Sequence, residues 1–397
     1  MVNGTSTPSA PTAFLGQPRP VVAPLLERAA DLAIAQVLDA DGVPNGNLAE
    51  PDLSQAQLRT MYETMALVRV IDEKGWQLQR SGRLEFWIPS RGQEAAHVAS
   101  ALAMDAADWI FLADREPGAM LLRGASLQSL FAQFFGRAGE PLKGRRLPLL
   151  LGDRALNIIP CMTQVGAYLP HAAGAAWAAK LKGDKTRFIV YFGDGATSRG
   201  EFHSAMNFAG IHRPPIVFFC QNNGWAVSTP TDRQTAADSF AEKGDAYKVR
   251  NLRVDGNDPL AVFAATKEAL ACTDEQGATL IEAVTYRLGF HTSSDNPDLY
   301  RQPEEVAAWE RWDPLPRMRK YLQACGYWDE RAEAQMQQRC EDEVREAVTA
   351  AEAMAPSEPA AMFDDVFAEP TWQLREQRER LLAELETELE TELETGA

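Results

Sequence analysis

The stretch Tyr191-Phe-Gly-Asp-Gly-Ala-Thr-Ser198, answered by Cys220-Gln-Asn-Asn-Gly-Trp225, decides the fold of this 397-residue chain. Phe188 to Phe192 is a short apolar run of strand composition that stops at Gly193-Asp194-Gly195. A helical stretch follows, then a second apolar run, Ile216 to Cys220, which stops at Asn222-Asn223. Two buried parallel strands with a crossover helix account for this order and predict an α/β fold. Their carboxyl ends would lie together, where open α/β sheets bind ligands.

The residues at those two ends suit a metal and a phosphate. Asp194 offers a hard carboxylate, Asn223 a neutral amide oxygen, and the turn after Asn223 exposes carbonyls such as that of Trp225. Mg²⁺ commonly takes one or two carboxylates and completes its shell with substrate phosphates. The glycines permit close approach, and N–H groups opening the next helix suit an anion. Gly-Asp-Gly alone is equally a tight strand-to-helix turn. What sharpens it is the Asn-Asn pair that ends the second strand, twenty-six residues (196 to 221) further on.

With 45% apolar residues the chain can build a sizeable core. Its formal charge of −17 argues against nucleic-acid and anionic-membrane partners. Five cysteines (161, 220, 272, 325, 340) show no CxxC and read as reduced thiols. No run has the length of a membrane span, and the start lacks the layout of a signal peptide. Arg19 is the only basic residue among the first twenty, unlike an Arg-rich transit peptide. A cytoplasmic, bacterial-type protein is expected.

Three segments are expected: 1–53, a proline-bearing arm and a short helix over 25–38; 54–355, the main α/β domain; and 356–397, an extension ending in an acidic helix. Ser54 with Gln57 forms a capping box that opens a long helix with an apolar stripe of Leu58, Met61, Met65, Val68 and Ile71. Trp109 to Leu112 reads as a strand whose loop carries Arg115, placed either to fork onto a phosphate or to pair with Asp114 or Glu116. His97 reads as a packed residue. Thr163 to Lys182 reads as a small-residue helix, and Asn251 to Val254 as an edge strand. Asp258-Pro259 is a helix start. Thr279 to Arg287 alternates like a strand and delivers His291 to a polar loop. That position suits an acid/base or charge-stabilising group, and composition alone equally allows an incidental loop histidine. The final Glu-Leu-Glu-Thr repeat reads as a solvated acidic helix.

In order, Gly92-Gln-Glu, Arg115-Glu116, Leu142-Lys-Gly-Arg145, Pro170 with Gly174-Ala-Ala-Trp-Ala-Ala-Lys180, the Gly193 and Asn222 motifs, Arg253-Val-Asp-Gly-Asn-Asp258, and Tyr286-Arg-Leu-Gly-Phe-His-Thr-Ser-Ser-Asp295 with Tyr300-Arg301 resemble one family. It is the α subunit of 2-oxo acid dehydrogenase E1 components, and the Lys-Gly-Arg and His291 segments look like its branched-chain type. The resemblance runs from about Ser54 to Tyr327 and more loosely to Leu382. It implies the thiamin diphosphate-binding fold, a mostly parallel doubly wound sheet with helices on both faces. It also implies oxidative decarboxylation of a small 2-oxo acid of the 3-methyl-2-oxobutanoate type and transfer of the acyl group to a lipoyl-bearing acyltransferase (E2). The assembly would be an α₂β₂ heterotetramer in which the E1 beta subunit supplies the rest of the site. The equivalent subunit for pyruvate, and a divergent non-catalytic homologue, are the alternatives.

Carried across residue by residue, the resemblance gives Asp194 and Asn223 to Mg²⁺ through side chains and Trp225 through its carbonyl. Gly193, Gly195 and Ala196 would approach the diphosphate, Arg115 would grip a phosphate oxygen, and Gln221 stands where relatives keep an arginine near it. Thr163 and Val165 match positions beside the cofactor's rings. His291 would reach the diphosphate end and assist acyl transfer, in a loop ordered by Arg287, Asp295, Tyr300 and Arg301. Asp114 departs from the pattern, standing where relatives carry tyrosine. A carboxylate about 5 Å from a phosphate oxygen at an effective dielectric of about 20 costs roughly 3 kcal/mol per unit charge. Asp114 must therefore turn away, pair with a cation, or weaken the cofactor. Thr292 stands where some relatives carry a phosphorylated serine, and no such regulation is expected.

Overall fold

A computed structural model describes residues 23–44, 48–160 and 162–395. In chain order these form β1 (Ile34–Ala35), α1 (Gln55–Arg80), α2 (Glu94–Leu102), β2 (Trp109–Phe111), α3 (Pro117–Leu122), α4 (Leu127–Phe134), β3 (Ile158–Ile159) and α5 (Leu169–Lys182). Then come β4 (Phe188–Gly193), α6 (Gly200–His212), β5 (Ile216–Asn222), β6 (Trp225–Ala226), β7 (Thr229–Pro230), β8 (Arg250–Asp255), α7 (Pro259–Ala271), α8 (Thr273–Gln276) and β9 (Thr279–Val284). The chain finishes with α9 (Pro303–Glu310), α10 (Pro314–Ala324), α11 (Glu330–Glu352) and α12 (Trp372–Thr395).

Seven strands make one parallel sheet in the order β1-β8-β9-β5-β4-β2-β3. The two expected strands are its centre: β4 pairs with β5 in parallel, with Gly193 opposite Gln221. Every residue of β5 and β9 is buried, so both faces of the sheet are covered. Helices α2 and α7 pack together, as do α5 and α6, and both groups reach β5. This is the α/β architecture expected, a parallel sheet with helices on both faces. Because all seven strands run the same way, the loops after β2, β4, β5 and β9 emerge at one end.

Local signals explain the helix boundaries. Ser54 caps α1, accepting from the Gln57 N–H while the Gln57 side chain returns to the Ser54 N–H. Asp258 caps α7 by accepting from the Leu260 and Ala261 N–H groups, with Pro259 at the first turn. Its other oxygen takes the N–H groups of Val37 and Leu38, and Arg317 forms an ion pair with Asp255 at 2.7 Å, all fully buried or nearly so. These contacts cross the segment division expected at residue 53.

Four expectations are corrected. The helix over 25–38 is a short 3-10 turn (Leu25–Arg28) followed by β1. Ala33, at φ 52°, turns the chain out of helical geometry, and Ile34 is fully buried at the sheet margin. The small-residue helix begins at Leu169, not Thr163, because Gly166 takes φ +80° and Pro170 fixes the first turn. Its alanines 172, 173, 176 and 179 are core. Strand β8 is not an edge, since β1 lies outside it. Finally, β9 has no solvent face: Glu282 is buried, 3.2 Å from Arg253 Nε, and accepts from Asn222 Nδ2 at 2.7 Å and the Ala241 N–H at 2.9 Å.

The C-terminal segment folds back on the loop before β3. The Ala138 N–H donates to the Ala355 carbonyl at 2.9 Å, and Ser357 Oγ donates to the Gly136 carbonyl at 3.3 Å. Asp365 pairs with Lys143 and, at 3.2 Å, with Arg145. Cys220, Cys272, Cys325 and Cys340 are free thiols, while Cys161 lies outside the described residues, as does the arm to residue 22. Helix α12 forms as expected, its described side chains exposed or half-buried. Leu389 and Leu393 of its repeat carry no described side chains. Among the described residues no helix is long and apolar enough to cross a membrane.

Candidate functional site

The four loops at the carboxyl end of the sheet meet around a cleft of about 440 Å³. From β2 it receives Arg115, from β4 Gly193, Asp194, Gly195 and Ala196, from β5 Asn223 and Trp225, and from the loop after β9 His291. Thr163 and Val165, ahead of α5, line it too. The sequence-expected residues therefore converge, with one exception. Gln221 does not line the cleft but lies buried behind it, its Nε2 2.5 Å from Oε1 of Glu116. It lies within β5, paired with Gly193, rather than past the strand end as Asn223 does.

Asp194 is 1% exposed, and burial pushes its carboxyl up to about 6. One oxygen accepts from Gln234 Nε2 at 2.6 Å. Asn223 Nδ2 donates to Gln93 Oε1 at 3.1 Å, which aims the amide oxygen at the turn it shares with Trp225, whose N–H it accepts at 3.2 Å. Trp225 is held in turn by Glu305, which accepts from its Nε1 at 2.9 Å and from the Tyr286 hydroxyl at 2.7 Å.

The donor set fits a divalent cation with a phosphate group. A carboxylate, an amide oxygen and a turn carbonyl are hard oxygen ligands too few to complete a Mg²⁺ shell alone. A cation beside Asp194 would offset the cost of burying its charge. The cradle also fits. A Cβ at Gly193 would meet nothing within 4 Å, so the backbone borders open space, and one at Gly195 would strike the Ala226 Cβ at 2.7 Å.

Another side of the cleft is built around Arg115. Its Nη1 donates to the Pro89 carbonyl at 2.5 Å, and its Nη2 donates to the His291 carbonyl and to His291 Nδ1, both at 2.9 Å. Arg287 Nη1 reaches the same Nδ1 at 3.1 Å. Burial, then the two guanidinium groups, push His291 down to about 3, so the ring is neutral. Its loop is ordered as expected. The His291 N–H donates to Asp295 at 2.7 Å, the Tyr300 hydroxyl donates to the same oxygen at 2.6 Å, and Arg287 Nη2 donates to Tyr300 at 2.8 Å. Arg301 holds the Arg287 carbonyl. Asp114 takes the second of its three courses, lying 3.8 Å from Arg115 Nε.

Sequence reasoning missed several contributors. Gln234 has no motif around it and acts from 40 residues away. Asp72, on α1, accepts from the Ser90 N–H at 2.6 Å, while Ser90 Oγ donates to the Arg115 carbonyl at 2.9 Å. An apolar wall of Phe86, Ile88, Leu147, Pro148, Leu150 and Met162 completes the cleft, with Thr292 at its border. His97 is packed in the core, with neither ring nitrogen partnered.

A parallel α/β sheet thus gathers an acid, an amide and an arginine at adjoining strand tips. Residues 62–360 match the family described as "Dehydrogenase E1 component", and the chain belongs to that family, whose cofactor is thiamin diphosphate. It is 38% identical over 358 residues to the mitochondrial 2-oxoisovalerate dehydrogenase subunit alpha of Mus musculus, covering 90% of this chain and 81% of the relative. The Caenorhabditis elegans protein of that name is 39% identical over 352 residues, covering 88% and 82%. The Arabidopsis thaliana subunit alpha 2 is 38% identical over 344 residues, covering 86% and 73%. The expectation of a cytoplasmic, bacterial-type protein is corrected by these relatives, which are mitochondrial. A leader poor in arginine is too weak a compositional signal to decide a compartment.

Proposed function

We propose that this chain is the alpha subunit of a branched-chain 2-oxo acid dehydrogenase, acting on 3-methyl-2-oxobutanoate-type acids with an E1 beta subunit and a lipoyl-bearing E2. Thiamin diphosphate supplies the nucleophilic carbon and the electron sink for decarboxylation. Asp194 and Asn223 would hold Mg²⁺ with the carbonyl of Trp225, while Gly193, Gly195 and Ala196 would lie beside the diphosphate, Gly193 with its backbone bare to open space. Arg115 would neutralise a phosphate oxygen, its fork already fixed by Pro89 and His291. Neutral His291, with Nδ1 engaged by arginines, keeps its proton on Nε2 and can donate it toward an anion or an acyl oxygen. The apolar wall from Phe86 to Met162 keeps water from the reacting end and suits a branched aliphatic side chain.

The observation that carries this reading is the convergence of Asp194, Asn223, Arg115 and His291 on one cleft in a chain of the E1 family. The test is turnover by the reconstituted αβ assembly with thiamin diphosphate and Mg²⁺. Faster reaction with 3-methyl-2-oxobutanoate than with pyruvate supports it, and pyruvate turned over much faster overturns the substrate. Calorimetry that detects no cofactor binding would favour the non-catalytic homologue instead.

A further inference from the structure

Behind the anion-facing arginine stands an acid that no part of the expected chemistry uses. Glu116 is 2% exposed and lies at the start of α3. Its Oε2 accepts from the N–H groups of Ala113 at 2.8 Å and Arg115 at 3.3 Å. Its Oε1 lies 2.5 Å from the terminal amide of Gln221, two residues before Asn223. One side chain thus ties the loop that carries Arg115 to the strand tip that carries Asn223.

Glu116 has no ion-pair partner among the described residues, its hydrogen bonds coming from Ala113, Arg115 and Gln221. Burial and the like charge of Asp114 oppose its ionisation, and N–H donors favour it. The buried Tyr191 hydroxyl on β4, which donates to or accepts from Ser100 at 2.7 Å, senses it as well. An isolated carboxylate at this depth is costly, so the acid form prevails. Amide oxygen and nitrogen are interchangeable by assignment, so the 2.5 Å contact with Gln221 admits either direction. A Glu116 hydroxyl donating to the Gln221 carbonyl satisfies both.

We infer that Glu116 and Gln221 form an uncharged acid–amide pair that positions Arg115 against Asn223. The pair rests on the proposed function only for what Arg115 grips. Glu116 touches no reacting atom and is a positioning residue. An uncharged amide in its place should serve nearly as well, whereas its removal should free the Arg115 loop.

The test uses the αβ assembly, with thiamin diphosphate and Mg²⁺ titrated by calorimetry and melting followed from pH 6 to 8.5. E116Q should bind the cofactor within about threefold of the unmodified protein, and E116A at least tenfold more weakly. Glu116 is raised to about 8 in the fold, so the stability it lends is complete below the unfolded carboxyl value and is lost as pH rises through 8. E116Q lacks that loss, so its Tm should gain on the unmodified protein as pH rises. Binding by E116Q as weak as by E116A, or a Tm gap that does not move with pH, overturns the pair. Should E116A fail to assemble, the E116Q comparison decides alone. If the unmodified assembly binds no cofactor, the proposed function falls, and the Tm gap still judges the pair.

Discussion

Nη2 of Arg115 lies 2.9 Å from Nδ1 of His291, and because a guanidinium can only donate, the imidazole must accept there. The two residues share one orientation. His291 reaches the cleft as a neutral ring with its proton on the far nitrogen.

A histidine pushed down to about 3 does not titrate in the working range. The pH profile of kcat/KM between pH 5 and 8 should therefore keep its shape in H291A while falling about 10²- to 10⁴-fold, the span of a lost proton donor. Steady-state rates with lipoyl-bearing E2 as acceptor check this. Loss of an ionisation limb in H291A would show that the ring titrates.

Replacing Asp194 removes the only carboxylate at the β4 tip. D194A should lose Mg²⁺-dependent thiamin diphosphate binding and at least 10³-fold in turnover while the assembly stays intact by sedimentation. Q234A, which frees an oxygen of Asp194, should weaken metal binding 10- to 100-fold, the usual effect of losing a ligand's hydrogen-bond partner.

Asp72 is buried, and its carboxyl is pushed up to about 8 by burial and then by Glu94. A group raised in the fold lends stability below its unfolded value of about 3.9 and loses it as pH climbs through 8. D72N should thus gain on the unmodified protein by about 2 kcal/mol between pH 6 and 8, at roughly 1.4 kcal/mol per pH unit. Denaturant unfolding of the assembly at the two pH values measures the difference.

Gly195 leaves no room for a methyl group, since a Cβ there meets Ala226 at 2.7 Å. G195A should displace the Trp225–Ala226 strand and weaken cofactor binding about tenfold, with a stability loss of about 1–3 kcal/mol. Calorimetry and thermal melting separate the two effects.

The centre of the fold was legible because buried parallel strands are continuous apolar runs, and Phe188–Phe192 and Ile216–Cys220 are such runs. Asp194, Asn223 and Arg115, the candidates for metal and phosphate, were legible for the same reason, standing where those runs stop. Residues acting across long sequence separations were not. Gln93 orients Asn223 from 130 positions away, and Gln234 has no neighbours that mark it. The 25–38 error has the opposite cause: a helical composition was overridden by the sheet, which drew Ile34 into a strand. Gln221 shows the limit of spacing: it lies within β5, which ends at Asn222, and stays buried behind the cleft, while Asn223 just past the strand end reaches it.

Leu147 and Pro148 border the cleft, and the loop that bears them is moored by Asp365 to residues far along the chain. Trimming the protein ahead of that aspartate would slacken one wall of the cleft without touching Asp194, Asn223 or Arg115. Fusion tags are therefore best appended beyond it. Concentrated salt, which screens exposed pairs of this kind, would act as a mild and reversible version of the same cut.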